Sequence, residues 1–573
     1  MSIAAPSLNE TNELQYLRYH PELGPIVGCK ISSELVQFRS LQYASIPQRF
    51  ARSVVRTGLP DQGKENLGGY NAFEHGPSSI QPVNSVETDV KWNQLPPEAI
   101  GIPQTQSEDC LRLTLTVPNE ALETSSKKLP VVVFIHGGAF MVASGERAYY
   151  DPTKLCMDAL DTKQPIIFAS MNYTLNALGF MHSPEAANIL PANNGLHDQI
   201  HAFEWLQRFL PGFGGNIDQI TAIGQSAGAA SLSLHNSVPR AAPLYRRSIV
   251  LSGSSVVLVT MTPEQHQAEF LHQAEKLGIV TFNRSSHDIA LDIIHLPVDR
   301  IRELDMPGAP CSGTDLIPSQ DWATMAHARY SVPNPWLESQ VLSSCTFDGS
   351  ISYMVALSQT RKNLAATFQA ICNNRLKDPT RLLDIYNITT ADSDPEALEK
   401  ICQIVTDIGF FNAAVSHAKG AQLCSSPTPT YLQLFDLPNP FAGLLPSHRF
   451  ATHTWDIVAL LGAFDHLVPP NDLEVIKSWR HRILAYVRTG AWPCPAWDPE
   501  KLSTLHVGKE GLRCPGREEM ADHRASKLME YAETQGGEGG ADVLWEDVVR
   551  FFLKTGNPRY AHEAEALLGS DGG

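Results

Sequence analysis

Ile223-Gly224-Gln225-Ser226-Ala227-Gly228-Ala229-Ala230 is the stretch whose reading decides the fold. Ahead of it, Gln219 to Ile223 reads as a short strand, with Ile220 and Ile223 as its apolar positions. Behind it, Ala227 to Leu234 is rich in Ala, Ser and Leu and can start a helix. A strand that turns into a helix within two residues crowds the residue at the corner. Small neighbours two positions to either side relieve that crowding, which accounts for Gly224 and Gly228. Ser226 then stands exposed at the amino end of a helix, as a nucleophile elbow. A bare G-x-S-x-G also occurs by chance as an ordinary tight turn, so the surroundings have to decide.

Working outward, Leu129 to Ile135 (LPVVVFI) is a continuous Val-rich run, the pattern of a parallel strand buried on both faces. It ends in His136-Gly137-Gly138-Ala139-Phe140. Gln164 to Met171, Arg247 to Ser252 and Gln340 to Cys345 read as further strands, and Thr430 to Phe435 as the last clear one. Leu111 to Val117 alternates with period two. Gly195 to Leu210 has helical spacing, as do segments near 264–277, 287–303, 472–489 and 543–554. Strands alternating with helices predict an α/β fold with a mostly parallel central sheet flanked by helices. The first twenty-odd residues are polar and read as a loose arm; Gly24 to Phe38 reads as a hairpin. Residues 56–106 read as long surface loops that rim a cleft. Thr534 to Gly540 (TQGGEGG) reads as a flexible linker. The expected division is a catalytic domain over 1–530, then a linker and C-terminal helical extension over 531–573.

The totals exclude some functions. A net charge of −17 disfavours nucleic acid and anionic membranes, both of which need a basic footprint. No apolar run reaches the length of a membrane span. The first residues lack a basic start followed by an apolar core, so a cytoplasmic location is expected. The ten Cys are dispersed without C-x-x-C or metal-ligand spacing, so they read mostly as buried thiols, with no metal site. The sequons at Asn9, Asn172, Asn283 and Asn387 are then chance matches.

An ester carbonyl attacked by Ser226 becomes tetrahedral, and its oxygen gains negative charge. Backbone N–H groups must be aimed at that charge beforehand. Gly137 and Gly138, at the carboxyl end of a central strand, can offer two, and Ala227 a third. Ser226 also needs a base, and the base an orienting carboxylate. On a strand–elbow–helix sheet the acid follows a late strand and the base comes after it. Asp348, in Thr346-Phe347-Asp348-Gly349-Ser350, is placed for the acid; the alternative is a cap for a helix starting near Ser350. His448, His453 and His466 are candidates for the base, and position alone does not choose among them.

These motifs resemble those of type-B carboxylesterases, the family of cholinesterases and some fungal lipases, and specifically an intracellular fungal-type member. The resemblance runs from about Phe38 to at least Pro493. It is carried by FRSLQYASIPQRF (38–50), SEDCLRL (107–113), HGGAF (136–140), NNGLHDQ (193–199), FGGN (213–216), GQSAG (224–228), YRRSIVLSGS (245–254) and RTG…WP (488–493). It implies an α/β-hydrolase fold and a triad of Ser226, Asp348 and His453. It also implies an oxyanion hole of Gly137, Gly138 and Ala227, a small-molecule ester substrate and no cofactor. Four departures stand out. The family's Glu is Asp348, its Gly after the His is Thr454, its Glu before the nucleophile is Gln225, and its N-Y-R reads Asn172-Tyr173-Thr174. The implied activity is ester hydrolysis through an acyl-enzyme. Alternatives within the fold are an ester- or lactone-forming acyl transferase and a catalytically silent binding homologue. Oligomeric state is not legible in the residues.

Overall fold

Side chains alternate across a strand, so a sheet whose strands are apolar at every position must be covered twice. In the Val-rich strand, Val131, Val133 and Ile135 enter one buried cluster and Val132 and Phe134 another. A computed structural model describes residues 14–60, 68–123, 128–258, 260–304, 308–319, 324–328, 332–355 and 361–555. Its strands in chain order are β1 (Gln15–His20), β2 (Gly24–Lys30), β3 (Leu35–Gln42), β4 (Ala44–Ser45), β5 (Val54–Val55), β6 (Tyr70–Asn71) and β7 (Arg112–Pro118). There follow β8 (Leu129–Ile135), β9 (Ile167–Met171), β10 (Gly215–Gln225), β11 (Arg247–Leu251), β12 (Ser339–Cys345), β13 (Thr430–Phe435), β14 (Thr504–Gly508) and β15 (Gly511–Arg513). Thirteen of them form one sheet in the order β1-β2-β3-β7-β9-β8-β10-β11-β12-β13-β14-β15, with β6 beside β2. From β9 across to β14 every neighbouring pair is parallel. This is the α/β architecture expected. It puts the carboxyl ends of β8, β10, β12 and β13 along one edge, where a site in such a sheet belongs.

The structure corrects several expectations. Residues 15–20 are not part of a loose arm but strand β1, paired antiparallel with β2. Its polar look hides its anchors. Arg18 donates to the carbonyls of Leu122 and Gly212, and Tyr16 packs edge-on to Phe38. The hairpin predicted over 24–38 is present as β2 and β3. Thr430–Phe435 is not the last strand; β14 and β15 follow as a short hairpin, too brief and too broken by His506 and Gly508 to stand out. The surface region 56–106 holds a helix, Ser85–Trp92. The start of the expected arm (1–13), part of the expected surface loops (61–67) and the end of the expected C-terminal extension (556–573) lie outside the described residues.

The TQGGEGG stretch is not a linker. The helix Arg524–Gly536 runs into it and a 3-10 turn, Gly537–Gly539, continues it. Its glycines permit close approach instead: a Cβ on Gly540 would lie 1.7 Å from the carbonyl oxygen of Ala532. Leu544, Trp545, Val548 and Phe552 then join Phe368, Ile401 and Leu528 in one buried cluster, so position 530 does not separate two cores. Cys494 and Cys514 form a disulfide, a pairing their dispersed spacing concealed. Seven of the remaining cysteines are buried and free, and Cys424 is exposed. Among the described residues no helix is long and apolar enough to cross a membrane.

Candidate active site

β10 delivers Ser226 to the edge of the sheet, and the helix Ala227–Ser237 begins at the next residue. The turn between them forces Ser226 to φ 55° and ψ −118°, a strained corner for a residue with a side chain. Two backbone bonds hold it there: Ser226 N–H donates to Leu251 O, and its own carbonyl accepts from Ala230 N–H. The flanking glycines are needed for contact. A Cβ on Gly228 would lie 2.0 Å from Ile135 O, and one on Gly224 2.3 Å from Gly228 O.

Gly137 and Gly138 follow β8 directly beside this corner; a Cβ on Gly137 would come within 2.9 Å of the Ser226 Cβ. Gly138 has φ +95°, where side chains are disfavoured. Two side chains aim these peptides. Tyr173 Oη donates to the carbonyl of His136, and His136 Nδ1 lies 2.8 Å from the carbonyl of Gly137. In a trans peptide the N–H points opposite to the C=O. Holding those two carbonyls therefore turns the N–H groups of Gly137 and Gly138 to the other side. Among the described residues neither N–H bonds to another backbone group, and the Gly137 N–H faces the Tyr150 hydroxyl. Burial pushes the His136 imidazole down to about 3, so it is neutral. With Nδ1 donating, its buried Nε2 has no hydrogen-bond partner among the described residues.

The other two candidates meet because β12 and β13 end side by side. Thr346 N–H donates to Phe435 O and Phe347 N–H to Ala451 O, and Phe347 pairs with Thr452. The next residues along, Asp348 and His453, are thereby neighbours. His453 Nδ1 lies 2.8 Å from Asp348 Oδ1, with Asp348 fully buried and His453 nearly so. The shorter arm of Asp348 reaches because the strand ends themselves are paired. Cys345 N–H donates to Asp348 Oδ2. Burial raises the Asp348 carboxyl above its ordinary value, and the hydrogen bond from His453 opposes that rise. The cap alternative for Asp348 fails, since its carboxylate is turned to His453. His448 is exposed, and His466 pairs with Glu98 at the surface.

On its far side, His453 Nε2 lies 3.2 Å from the amide Nε2 of Gln225, the residue next to Ser226. The His453 ring, the Asp348 carboxylate and the corner serine thus share one end of the sheet. Over residues 19–504 the sequence matches the model of the carboxylesterase family. The chain belongs to the carboxylesterase family. It is 26% identical over 454 residues to a para-nitrobenzyl esterase of Bacillus subtilis (strain 168), covering 75% of this chain and 84% of that one. It is 42% identical over 239 residues to a cholinesterase of Mus musculus, covering 40% of this chain and 35% of that one. A solved PNB esterase superposes with a TM-score of 0.66 at 22% identity, covering 89% of this chain and 99% of that one. That likeness supports the α/β-hydrolase fold.

As a carboxylesterase the chain is a serine hydrolase of carboxylic esters, and its departures from the family pattern have local causes. Thr454 takes φ 74°, a conformation that explains the usual Gly. Gly349 is kept because a Cβ there would lie 1.8 Å from Cys402 O. Three site features escaped the sequence reading. Asp456 is fully buried, accepts from Ser252 Oγ at 3.0 Å, and is pushed up to about 6 by burial and by the Asp348 charge. Its signal was a carboxylate three residues after His453. Phe410, in a π-helix over Thr406–Phe411, lies 5.4 Å from the His453 ring, centroid to centroid. Asn93, from the region read as surface loop, accepts from Thr454 Oγ1. Nothing in the sequence marked either of those two.

Proposed function

We propose that the esterase works through a triad of Ser226, His453 and Asp348, with Gly137, Gly138 and Ala227 as its oxyanion hole. Ser226 Oγ bonds to the ester carbonyl carbon while its proton passes to His453 Nε2. Asp348 holds the other ring nitrogen and balances the imidazolium. The three N–H groups take the charge on the carbonyl oxygen. The bond to the alcohol oxygen then breaks as His453 returns its proton to that oxygen, leaving an acyl-enzyme. Water, deprotonated by the same imidazole, releases the acid. The observation that carries this reading is the 2.8 Å contact between Asp348 and His453, in a ring whose other nitrogen faces the residue beside Ser226.

The test is labelling by a fluorophosphonate together with hydrolysis of p-nitrophenyl butyrate. Wild type is expected to do both. Ser226→Ala is expected to lose labelling entirely, and His453→Ala to lose kcat by at least about a thousandfold. A wild type that neither labels nor hydrolyses would instead be a silent binding homologue. A cytoplasmic location is part of the same proposal; the seven buried free thiols support it, and the Cys494–Cys514 disulfide argues the other way. Recovery of the protein in the soluble fraction of its own cells, away from secreted material, is the expected result.

A further inference from the structure

The two departures on either side of the site, Gln225 and Thr454, touch each other. Gln225 Nε2 lies 3.1 Å from Thr454 Oγ1 as well as 3.2 Å from His453 Nε2. Thr454 Oγ1 lies 2.7 Å from Asn93 Oδ1, and Asn93 Nδ2 donates to the carbonyl of Asp89 at 2.9 Å. The direction of every bond follows from the last one. Asp89 O can only accept, so Asn93 must present its amide nitrogen there and its oxygen to Thr454. Thr454 must then donate its one hydroxyl proton to Asn93, which leaves its oxygen as an acceptor. Only the NH2 side of Gln225 satisfies that oxygen. The same NH2 group supplies its second hydrogen toward His453 Nε2, which must therefore offer a lone pair. The ring proton then sits on Nδ1 and is donated to Asp348.

We propose that Gln225, Thr454 and Asn93 form a positioning relay that holds His453, before an ester binds, in the neutral tautomer with its Nε2 lone pair covered by an amide N–H, a contact that gives way when Nε2 takes the Ser226 proton. Gln225 is a positioning residue here, and the inference rests on the triad reading above. An imidazolium would set an N–H against an N–H. Relief requires the Gln225 amide to turn over, which strips Thr454 of its donor. A Glu at 225 would accept that proton at no such cost. The relay therefore opposes the imidazolium, where a Glu at 225 would favour it. The titratable groups facing the ring are Asp348, from the turn after β12, and Asp456, from the helix Trp455–Leu461; Phe410 covers it from the π-helix. The first two are present in every variant below.

The experiment follows the rate constant for fluorophosphonate labelling and kcat/KM for p-nitrophenyl butyrate from pH 5 to 9. Gln225→Glu is expected to move the acidic limb of both upward by about one pH unit or more, the size of a nearby carboxylate's effect. Thr454→Gly frees the amide and is expected to move the limb the same way by a smaller amount. Thr454→Ser keeps the hydroxyl and is expected to leave the limb in place. Added to Gln225→Glu, Thr454→Gly is expected to shift it no further. A Gln225→Glu limb that coincides with wild type overturns the proposal. So does a Thr454→Ser limb displaced as far as that of Thr454→Gly. Loss of labelling in Ser226→Ala checks the triad separately, so a failed relay and a failed triad give different results.

Discussion

At the scale of single residues, the strained corner at Ser226 and the glycines were legible because strain and close approach demand particular residue types. Gly138 at φ +95° and Gly228 against Ile135 O tolerate no side chain, so sequence alone exposes them. The partners that aim the site left no such trace. Tyr173 is one of 15 tyrosines, and only the fold turns its hydroxyl to the carbonyl of His136. That contact predicts a kinetic effect. Tyr173→Phe keeps the ring stacked on His136, 4.5 Å between centroids, and removes one hydrogen bond. The peptide joining 136 and 137 then loses one of its anchors, and under the proposed oxyanion hole the Gly137 N–H is aimed less firmly. Deleting an oxyanion donor outright costs 10²–10³ in kcat, so mis-aiming one is expected to cost about tenfold. The loss belongs in kcat, with KM unchanged, because the charge appears only in the transition state. Steady-state kinetics on p-nitrophenyl butyrate reads the split; a change confined to KM would remove Tyr173 from this role.

At the scale of elements, apolar strands buried on both faces announced themselves, and everything held by polar or backbone contacts did not. β8 needed only its Val run. β1 is held by Arg18 and His20 reaching carbonyls of other segments, a pairing no local pattern encodes. The C-terminal helix over 543–554, which opens with the π-helix Val543–Arg550, was legible, but the glycine-rich stretch ahead of it misled for another reason. Glycine in such a run reads as flexibility, whereas here glycine is what lets elements touch. Trp545 lies against Gly409 of the other π-helix, where a Cβ would come within 2.6 Å of its ring. Its Nε1 donates to Val256 O, and it is 3% exposed. Trp545→Ala would open a cavity between the two π-helices and orphan that carbonyl. The expected cost is about 3–5 kcal/mol, read as a lower urea midpoint with an unchanged slope. Gly409→Ala should lower the midpoint from the opposite side of the same contact. Wild-type midpoints in both would mean that 540–552 is an appendage, as the glycine-rich sequence suggested.

At the scale of the whole molecule, the sheet order follows from which runs are apolar, but the protonation of the interior follows only from what folding buries. Desolvation by burial pushes His136 and His235 down to about 3 and His266 to about 4, all from 6.5. Each of the three is folded neutral and takes a proton below pH 6.5 only when unfolded. Their contribution is complete above that pH and is lost as pH falls toward 4. Each costs about 1.4 kcal/mol per pH unit. Two carboxyls act in the opposite sense. Burial raises Asp89, beside Arg147, and Asp456 to about 6 from 3.8, so the folded chain holds those protons between about pH 6 and 4 and gains stability on acidification. Asp198 and Asp348 are raised by burial as well, and His20, His182, His201 and His523 are lowered, so the histidines stay ahead by seven groups against four. Half-buried His197, also lowered to about 3, adds a screened share to the same side. Stability is therefore expected to fall below pH 6 by about 1.4 kcal/mol or more per unit, measured as the urea unfolding free energy at half-unit steps from pH 7 to 4.5. His235→Gln removes one of the three, since Gln can keep a hydrogen bond to Gln199 where His235 Nε2 now makes one. Its curve should be flatter than wild type by about 1.4 kcal/mol per pH unit. Parallel curves for the two proteins would show that His235 is protonated in the folded state, and that the interior around the elbow helix is wetter than its burial implies.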